Sequence, residues 1–212
     1  MYVPRQFAES EPSRLQAFMR AHDFAVIVSA VEGRPSATHV PVLLDPERGR
    51  HGTLFGHMAR GNPHWRSFGP EAEILVIFNG PHCYVSPTWY ETTPNVPTWN
   101  YAAVHAYGCA RPVDDPMAVR SLLDRTVALY EGEGEGAWSL SGLPEDYIER
   151  MVRGVAAFEI EIERLEGKFK LSQNRADPDR RAVLRRLEAS GEPREAAVGA
   201  MMRERETEPT GS

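Results

Sequence analysis

Cysteine is scarce in this chain of 212 residues; only Cys83 and Cys109 occur. Two thiols with no CxxC spacing make neither a disulfide framework nor a zinc cluster, so both read as inert core or strand residues. Long apolar runs are missing too: none approaches the roughly 18 residues that span a bilayer. The opening MYVPRQFAES also lacks the charged-then-apolar pattern of a signal peptide. These absences lead to the expectation of a cytoplasmic protein with no membrane partner. No GxGxxG follows a strand, and there is no Walker-type GKS or GKT, no GxSxG and no HExxH. Rossmann dehydrogenases, P-loop NTPases, α/β-hydrolases and zincins are therefore disfavoured.

Positive charge is also in deficit. The formal net charge of −6 opposes attraction of the whole molecule to nucleic acid. Locally the balance reverses. Between Lys168 and Arg186, seven basic residues meet only Asp177 and Asp179, and a phosphate near this segment is expected. The 42% hydrophobic and 25% charged fractions suit one domain with a real core and helical appendages, and 17 Pro with 17 Gly imply many turns.

A short amphipathic helix is expected over EPSRLQAFMRAH, with Leu15, Phe18 and Met19 on one face and Ser10 or Ser13 as its cap. FAVIVSAV and ATHVPVLL read as hairpin strands, with Pro41 placing the second at an edge or bulge. GTLFGHM and EAEILVIFNG are further strands, and ARGNPHWRSFG between them is a loop or a single helical turn. TWNYAAVHAYGCARPV is a long strand. Helices follow over 117–130 and PEDYIERMV, separated by the flexible acidic EGEGEG, and then a half-buried final strand over 158–165. Two helices, DPDRRAVLRRLEAS and PREAAVGAMMRE, precede a loose tail. Closely spaced short strands with Gly and Pro turns indicate an antiparallel barrel or sandwich, mainly β with flanking helices, an α+β fold.

Four groups of residues can carry chemistry. In HMARGNPHW, residues His57, Arg60, Asn62 and His64 either contact a phosphate or another ligand, or form a surface loop; a metal would need donors from elsewhere. In SPTWYETTPNVPTWNYAAVHAYG, the residues Trp89, Tyr90, Trp99, Asn100, Tyr101 and His105 offer aromatic faces with polar edges. These suit a planar amphipathic ring or a subunit contact. Strand alternation points Trp99 and Tyr101 one way and Asn100 the other, so only half of them can meet one ligand. KFKLSQNR sets Lys168, Lys170 and Arg175 around Ser172, Gln173 and Asn174 where the chain leaves its last expected strand, as a polar site or a solvated helix start capped by Ser172. Thr38 and His39, on the second strand, either line a pocket or are ordinary strand residues. No metal site and no catalytic acid or base stands out, although His39, His57 and His105 titrate near neutral pH.

MYVPRQF, GHMARGNP, FNGPHCYVSPTWY, VPTWNYAAVHAYG and KFKLSQNR, taken in order over roughly residues 1 to 190, resemble the PaiB-type FMN-binding negative transcriptional regulators. The resemblance implies an antiparallel split β-barrel like that of pyridoxamine-phosphate oxidases, over 1–171. It is followed by a C-terminal helical extension over 172–205 packed on the barrel and a flexible tail over 206–212. It also implies a homodimer with FMN at the subunit interface. Arg60 and Lys168 would meet the phosphate, helped by Asn62, Gln173 and Arg175; Thr38, His39, Trp99, Asn100 and Tyr101 would approach the ring or ribityl chain. His57 belongs to the same cofactor set. A repressor that meets DNA is one reading. A flavin-dependent or haem-related oxidoreductase acting on a small molecule is the alternative, and a dimer with a decayed flavin site a third.

Overall fold

The computed structural model describes residues 1–206 except Glu32, Glu133 and Glu135. Among the described residues there are eight strands, β1 (Ala8–Glu9), β2 (Phe24–Val31), β3 (Arg34–Asp45), β4 (Thr53–Ala59), β5 (Glu73–Val85), β6 (Thr98–Val113), β7 (Val155–Glu161) and β8 (Arg164–Lys170), and five α-helices, with β2 to β6 following one another and the helices placed around them. The helices are α1 (Pro12–Ala21), α2 (Pro116–Glu131), α3 (Glu145–Gly154), α4 (Asp177–Glu188) and α5 (Pro193–Glu206). The strands are hydrogen-bonded in the order β1-β8-β6-β5-β2-β3-β4-β7, and a further β6–β7 pairing closes the last six into a ring. This is the expected antiparallel split barrel with flanking helices.

The chain divides into two compact units, one of Gln16–Phe78 and His105–Leu165, the other of Met1–Leu15, Asn79–Val104 and the residues from Glu166 onward. In the first unit, the partner of β3 changes midway. Arg34 to Pro41 pair with β2, whereas Val42 to Asp45 pair with β4. Pro41 therefore sits at the handover, where its missing N–H interrupts a ladder that is already changing partner. Each residue of β3 thus pairs on one side only, so Pro41 stands at a local edge, in keeping with the edge or bulge expected of it, although the strand as a whole lies between β2 and β4.

Ring closure demands close backbone approach. A Cβ on Gly108 would lie 2.1 Å from the Glu161 carbonyl oxygen, so only glycine fits where β6 meets β7. The single final strand expected over 158–165 is instead two strands, β7 and β8. Ala156, Ala157 and Phe158 are buried consecutively, because β7 is covered on both sides, and a two-residue alternation cannot signal such a strand. One covering layer is α2 and α3, whose Val119, Leu122, Ile148 and Val152 form a cluster with Ala157. Each such side chain contributes roughly 1.5–3 kcal/mol through burial. The Asp115 carboxylate caps α2 by accepting from the amides of Met117 and Ala118, and Gly132, at φ 76°, ends it.

In the second unit, the Glu9 carboxylate accepts from the amides of Ser10 and Glu11, while Ser13 Oγ donates to Glu11. The start of α1 is thus organised by a carboxylate rather than by the serine cap expected. Strand β5 runs on to Val85, beyond its expected end, and β6 begins at Thr98. Helices α4 and α5 bury Val183, Leu184, Leu187, Val198 and Met202. The acids Asp177 and Asp179 open α4 and Arg185 and Arg186 close it, matching its dipole. The tail expected over 206–212 lies outside the described residues except for Glu206, the last residue of α5.

Candidate functional site

Within the first unit, Asn62 opens a 3-10 turn over Pro63–Ser67, its Oδ1 accepting from the His64 amide at 3.0 Å. That turn places His64, 3% exposed, against β2 and β3. His64 Nε2 meets Ser29 Oγ at 2.8 Å and Nδ1 meets Thr38 Oγ1 at 2.7 Å. Asn62 Nδ2 donates to Thr38 Oγ1 at 3.1 Å, and Ser67 Oγ donates to the His64 carbonyl at 2.7 Å.

Proton bookkeeping around the ring assigns a tautomer. Ser67 has given its only hydroxyl proton to the His64 carbonyl, so in the 3.1 Å pair of Ser29 and Ser67 it is Ser29 that donates. Ser29 must then accept from His64 Nε2–H, leaving Nδ1 to accept from the Thr38 hydroxyl. A neutral imidazole satisfies every group, whereas a second ring proton would face Thr38 and displace its donation. Burial acts in the same direction, pushing the His64 pKa below its ordinary 6.5.

The other expected residues of this unit stand outside that network. His39 is exposed on the opposite face of β3 from Thr38, its ring 6.3 Å from that of Phe24. His57 is half-buried on β4, and desolvation lowers its pKa. Arg60 Nε donates to the carbonyls of Arg153 and Val155, both at 3.1 Å, capping the end of α3. Its guanidinium lies over the Trp65 ring at 5.5 Å. Arg60 also borders a cavity of about 440 Å³ floored by Val119, Ile148 and Val152.

In the second unit, β6 alternates as its sequence implies: Asn100 is fully buried and Trp99 is 53% exposed. Trp99 meets Tyr84 edge to face with centroids 6.1 Å apart. Lys168 Nζ donates to the Tyr2 carbonyl at 3.0 Å and lies 5.3 Å from the Tyr101 ring. Lys170, the second lysine of the same sequence block, donates to Thr98 Oγ1 and the Trp99 carbonyl. Arg175 donates to Asn95 Oδ1 at 2.7 Å and covers the Tyr90 ring at 4.5 Å. Gln173 is bound to backbone at both ends of its amide, accepting from the Leu171 N–H and donating to the Phe169 carbonyl.

These cations form one electrostatic group. The pKa of Lys170 is lowered first by burial and then by the positive charges of Arg175 and Lys168. A phosphate among the three would offset that repulsion. Tyr90 is buried, and its hydroxyl is the one side-chain polar atom among the described residues found buried without a hydrogen-bond partner. Exposed ring faces, clustered cations and an orphaned hydroxyl fit a phosphorylated aromatic cofactor. By contrast, Cys83 is inert: burial, followed by Glu195, pushes its thiol up to about 11. Among the described residues, no cluster of three or more His, Cys, Asp or Glu side chains is placed to hold a metal, and no helix is long and apolar enough to cross a membrane.

Most of the basic run from Lys168 to Arg186 is internally committed. Arg180 pairs with Asp177 and Glu206, Arg185 pairs with Glu91, and Arg186 lies over the Trp89 ring. Sequence distance hid these pairings, since Glu91 is 94 positions from Arg185.

An antiparallel split barrel carrying clustered cations beside exposed ring faces fits a protein of the flavin-binding class. Residues 1–164 match the family described as "Putative FMN-binding domain", and the chain belongs to that family, with FMN as its cofactor. It is 33% identical over 207 residues to the protease synthase and sporulation protein PAI 2 of Bacillus subtilis, spanning 97% of this chain and 98% of that one. Two solved structures share the fold, each at 16% identity and a TM-score of 0.61. A flavocytochrome from Azotobacter vinelandii aligns over 84% of this chain and 74% of its own, and an FAD and haem binding protein from Mycobacterium smegmatis over 82% and 79%.

Proposed function

We propose that this protein is a cytoplasmic FMN-dependent negative regulator of the PaiB type, working as a homodimer with the flavin at the subunit interface. End-to-end similarity to PAI 2 is the observation that carries the reading. The Lys168, Lys170 and Arg175 cluster supports a phosphate contact. The exposed faces of Trp99 and Tyr84 support a flat ring or a subunit contact beside it. Thr38, His39, His57, Arg60 and Asn62 are proposed to complete the cofactor set. FMN supplies redox chemistry when bound, and this chain's residues bind and orient it. Because the exposed Arg185 and Arg203 are engaged with carboxylates, the outer faces of helices α4 and α5 are poorly equipped to grip DNA phosphates. Regulation through a protein partner, or through DNA contacts elsewhere on the dimer, fits this chain better than insertion of α5 into a groove.

The test is to titrate the purified protein with FMN, following the visible spectrum and thermal midpoint, and then to add NADH or NADPH in air. A stable flavin complex without rapid turnover is expected of the regulator. Rapid turnover would favour the flavin-dependent oxidoreductase instead. Neither a spectral change nor stabilisation by FMN would defeat both readings.

A further inference from the structure

Beyond residue 164, where the match to the FMN-binding family ends, the chain builds a second cavity. It has a volume of about 350 Å³ and is lined by Leu171, Gln173, Arg180, Arg181, Met202, Arg205 and Glu206. Three guanidiniums face it against one carboxylate. Two of them are fixed by carboxylates: Arg180 by Asp177 at 3.1 Å and Glu206 at 3.3 Å, and Arg205 by Glu9 at 3.3 Å. Arg181 is exposed and takes part in no ion pair among the described residues. Leu171 and Met202, each 3% exposed, provide an apolar floor.

We infer that this cavity binds a phosphorylated organic metabolite other than the flavin. Guanidinium groups match the planar, multidentate geometry of a phosphate, and prior anchoring of Arg180 and Arg205 lowers the entropy lost on binding. Arg181 supplies the uncommitted charge. The volume lies within the range of small-molecule sites, roughly 300–1,000 Å³, and exceeds what a bare phosphate needs, so a carbon skeleton lies over Leu171 and Met202. Of its lining residues only Gln173 belongs to the cofactor set expected from the sequence, and both ends of its amide are bound to backbone, at the Leu171 N–H and the Phe169 carbonyl; Lys168, Lys170 and Arg175 do not line the cavity.

Calorimetric titration of the FMN-loaded protein tests it, with phenyl phosphate as probe and inorganic phosphate and phenol as comparisons. Saturable binding of phenyl phosphate, tighter than that of inorganic phosphate and absent for phenol, is expected without release of flavin absorbance. Arg181→Glu should weaken it at least tenfold and Arg181→Gln less, while Arg186→Gln, outside the cavity, leaves it unchanged. Equal binding by Arg181→Glu, or flavin release in step with phenyl phosphate uptake, would overturn the assignment. Equal affinity for inorganic phosphate would overturn the role of Leu171 and Met202. If FMN fails to bind at all, the same titration on the unloaded protein still decides the question.

Discussion

Asn100 and Ser172, 72 positions apart, hold each other in the core of the second unit: Asn100 Nδ2 donates to Ser172 Oγ at 2.9 Å, and Ser172 Oγ reaches back to Asn100 Oδ1 at 3.3 Å. Asn100 Nδ2 also points at Met202 Sδ, 3.6 Å away. Ser172 is the one non-glycine residue with positive φ among those described, at 65°. Its backbone is held in a sparsely populated region where the reciprocal pair requires it. Ser172→Ala should therefore leave the Asn100 amide inadequately paired and destabilise the protein by about 1–3 kcal/mol. The midpoint of thermal unfolding should fall by about 2–4 °C for each kcal/mol. An unchanged midpoint would show that the pair contributes nothing.

His64 gives a pH prediction with a definite sign. Its pKa is depressed below 6.5 in the folded state, so the unfolded chain takes up a proton that the folded network resists. The stability supplied by the neutral ring is present above 6.5 and is lost as pH falls from there to the folded-state value. His64→Gln should be most damaging near pH 7.5, with the gap to the wild type narrowing toward pH 5. Denaturant midpoints over that range decide it; a gap that widens on acidification would contradict the neutral assignment. Because His22 and His57 are shifted in the same direction, the comparison must be between variant and wild type.

Gly108→Ala should disrupt ring closure, because its methyl group would enter the Glu161 carbonyl. The expected loss is about 3 kcal/mol or more, at the upper end of overpacking effects. Gly61→Ala is the control, as nothing lies within 4 Å of a Cβ built there. Similar denaturant midpoints for the two variants would show that β6 and β7 can separate without penalty.

Lys168→Gln tests the cation cluster. Removing one charge relieves part of the repulsion that lowers the Lys170 pKa, so thermal stability without flavin should hold or rise. FMN affinity should nevertheless drop about 10- to 100-fold, in line with about 1.5–3 kcal/mol for a charge-assisted hydrogen bond. Fluorescence titration of FMN measures the second effect. Unchanged affinity would place the phosphate elsewhere, and the parallel Arg60→Ala variant shows whether it lies in the first unit.

The strands and helices were legible in local pattern. FAVIVSAV, GTLFGHM and TWNYAAVHAYGCARPV read as strands and are strands; Pro and Gly marked most boundaries. The long apolar and aromatic alternation of β6 gave the faces of Trp99 and Asn100 correctly. Local pattern failed where burial was two-sided, as in β7, and marked Pro41 as an edge or bulge without showing the change of partner there. Neither event leaves a periodic signature, because each depends on what lies beside the strand.

The antiparallel fold class, the family and the run of cations from Lys168 to Arg186 could be read along the chain, because periodicity, turn residues and motif order are properties of sequence neighbours. What those side chains do was set by folding, which also put Lys168 and Lys170 on β8 rather than after the last strand. It committed Arg60 to the end of α3, joined Thr38 and Asn62 to a buried neutral His64, and paired most of the arginines of α4 with acids or rings. The physical reason is that a charge or hydroxyl takes its character from the groups within a few ångströms of it. Here those groups come from segments tens of residues away, which only the folded chain brings into reach.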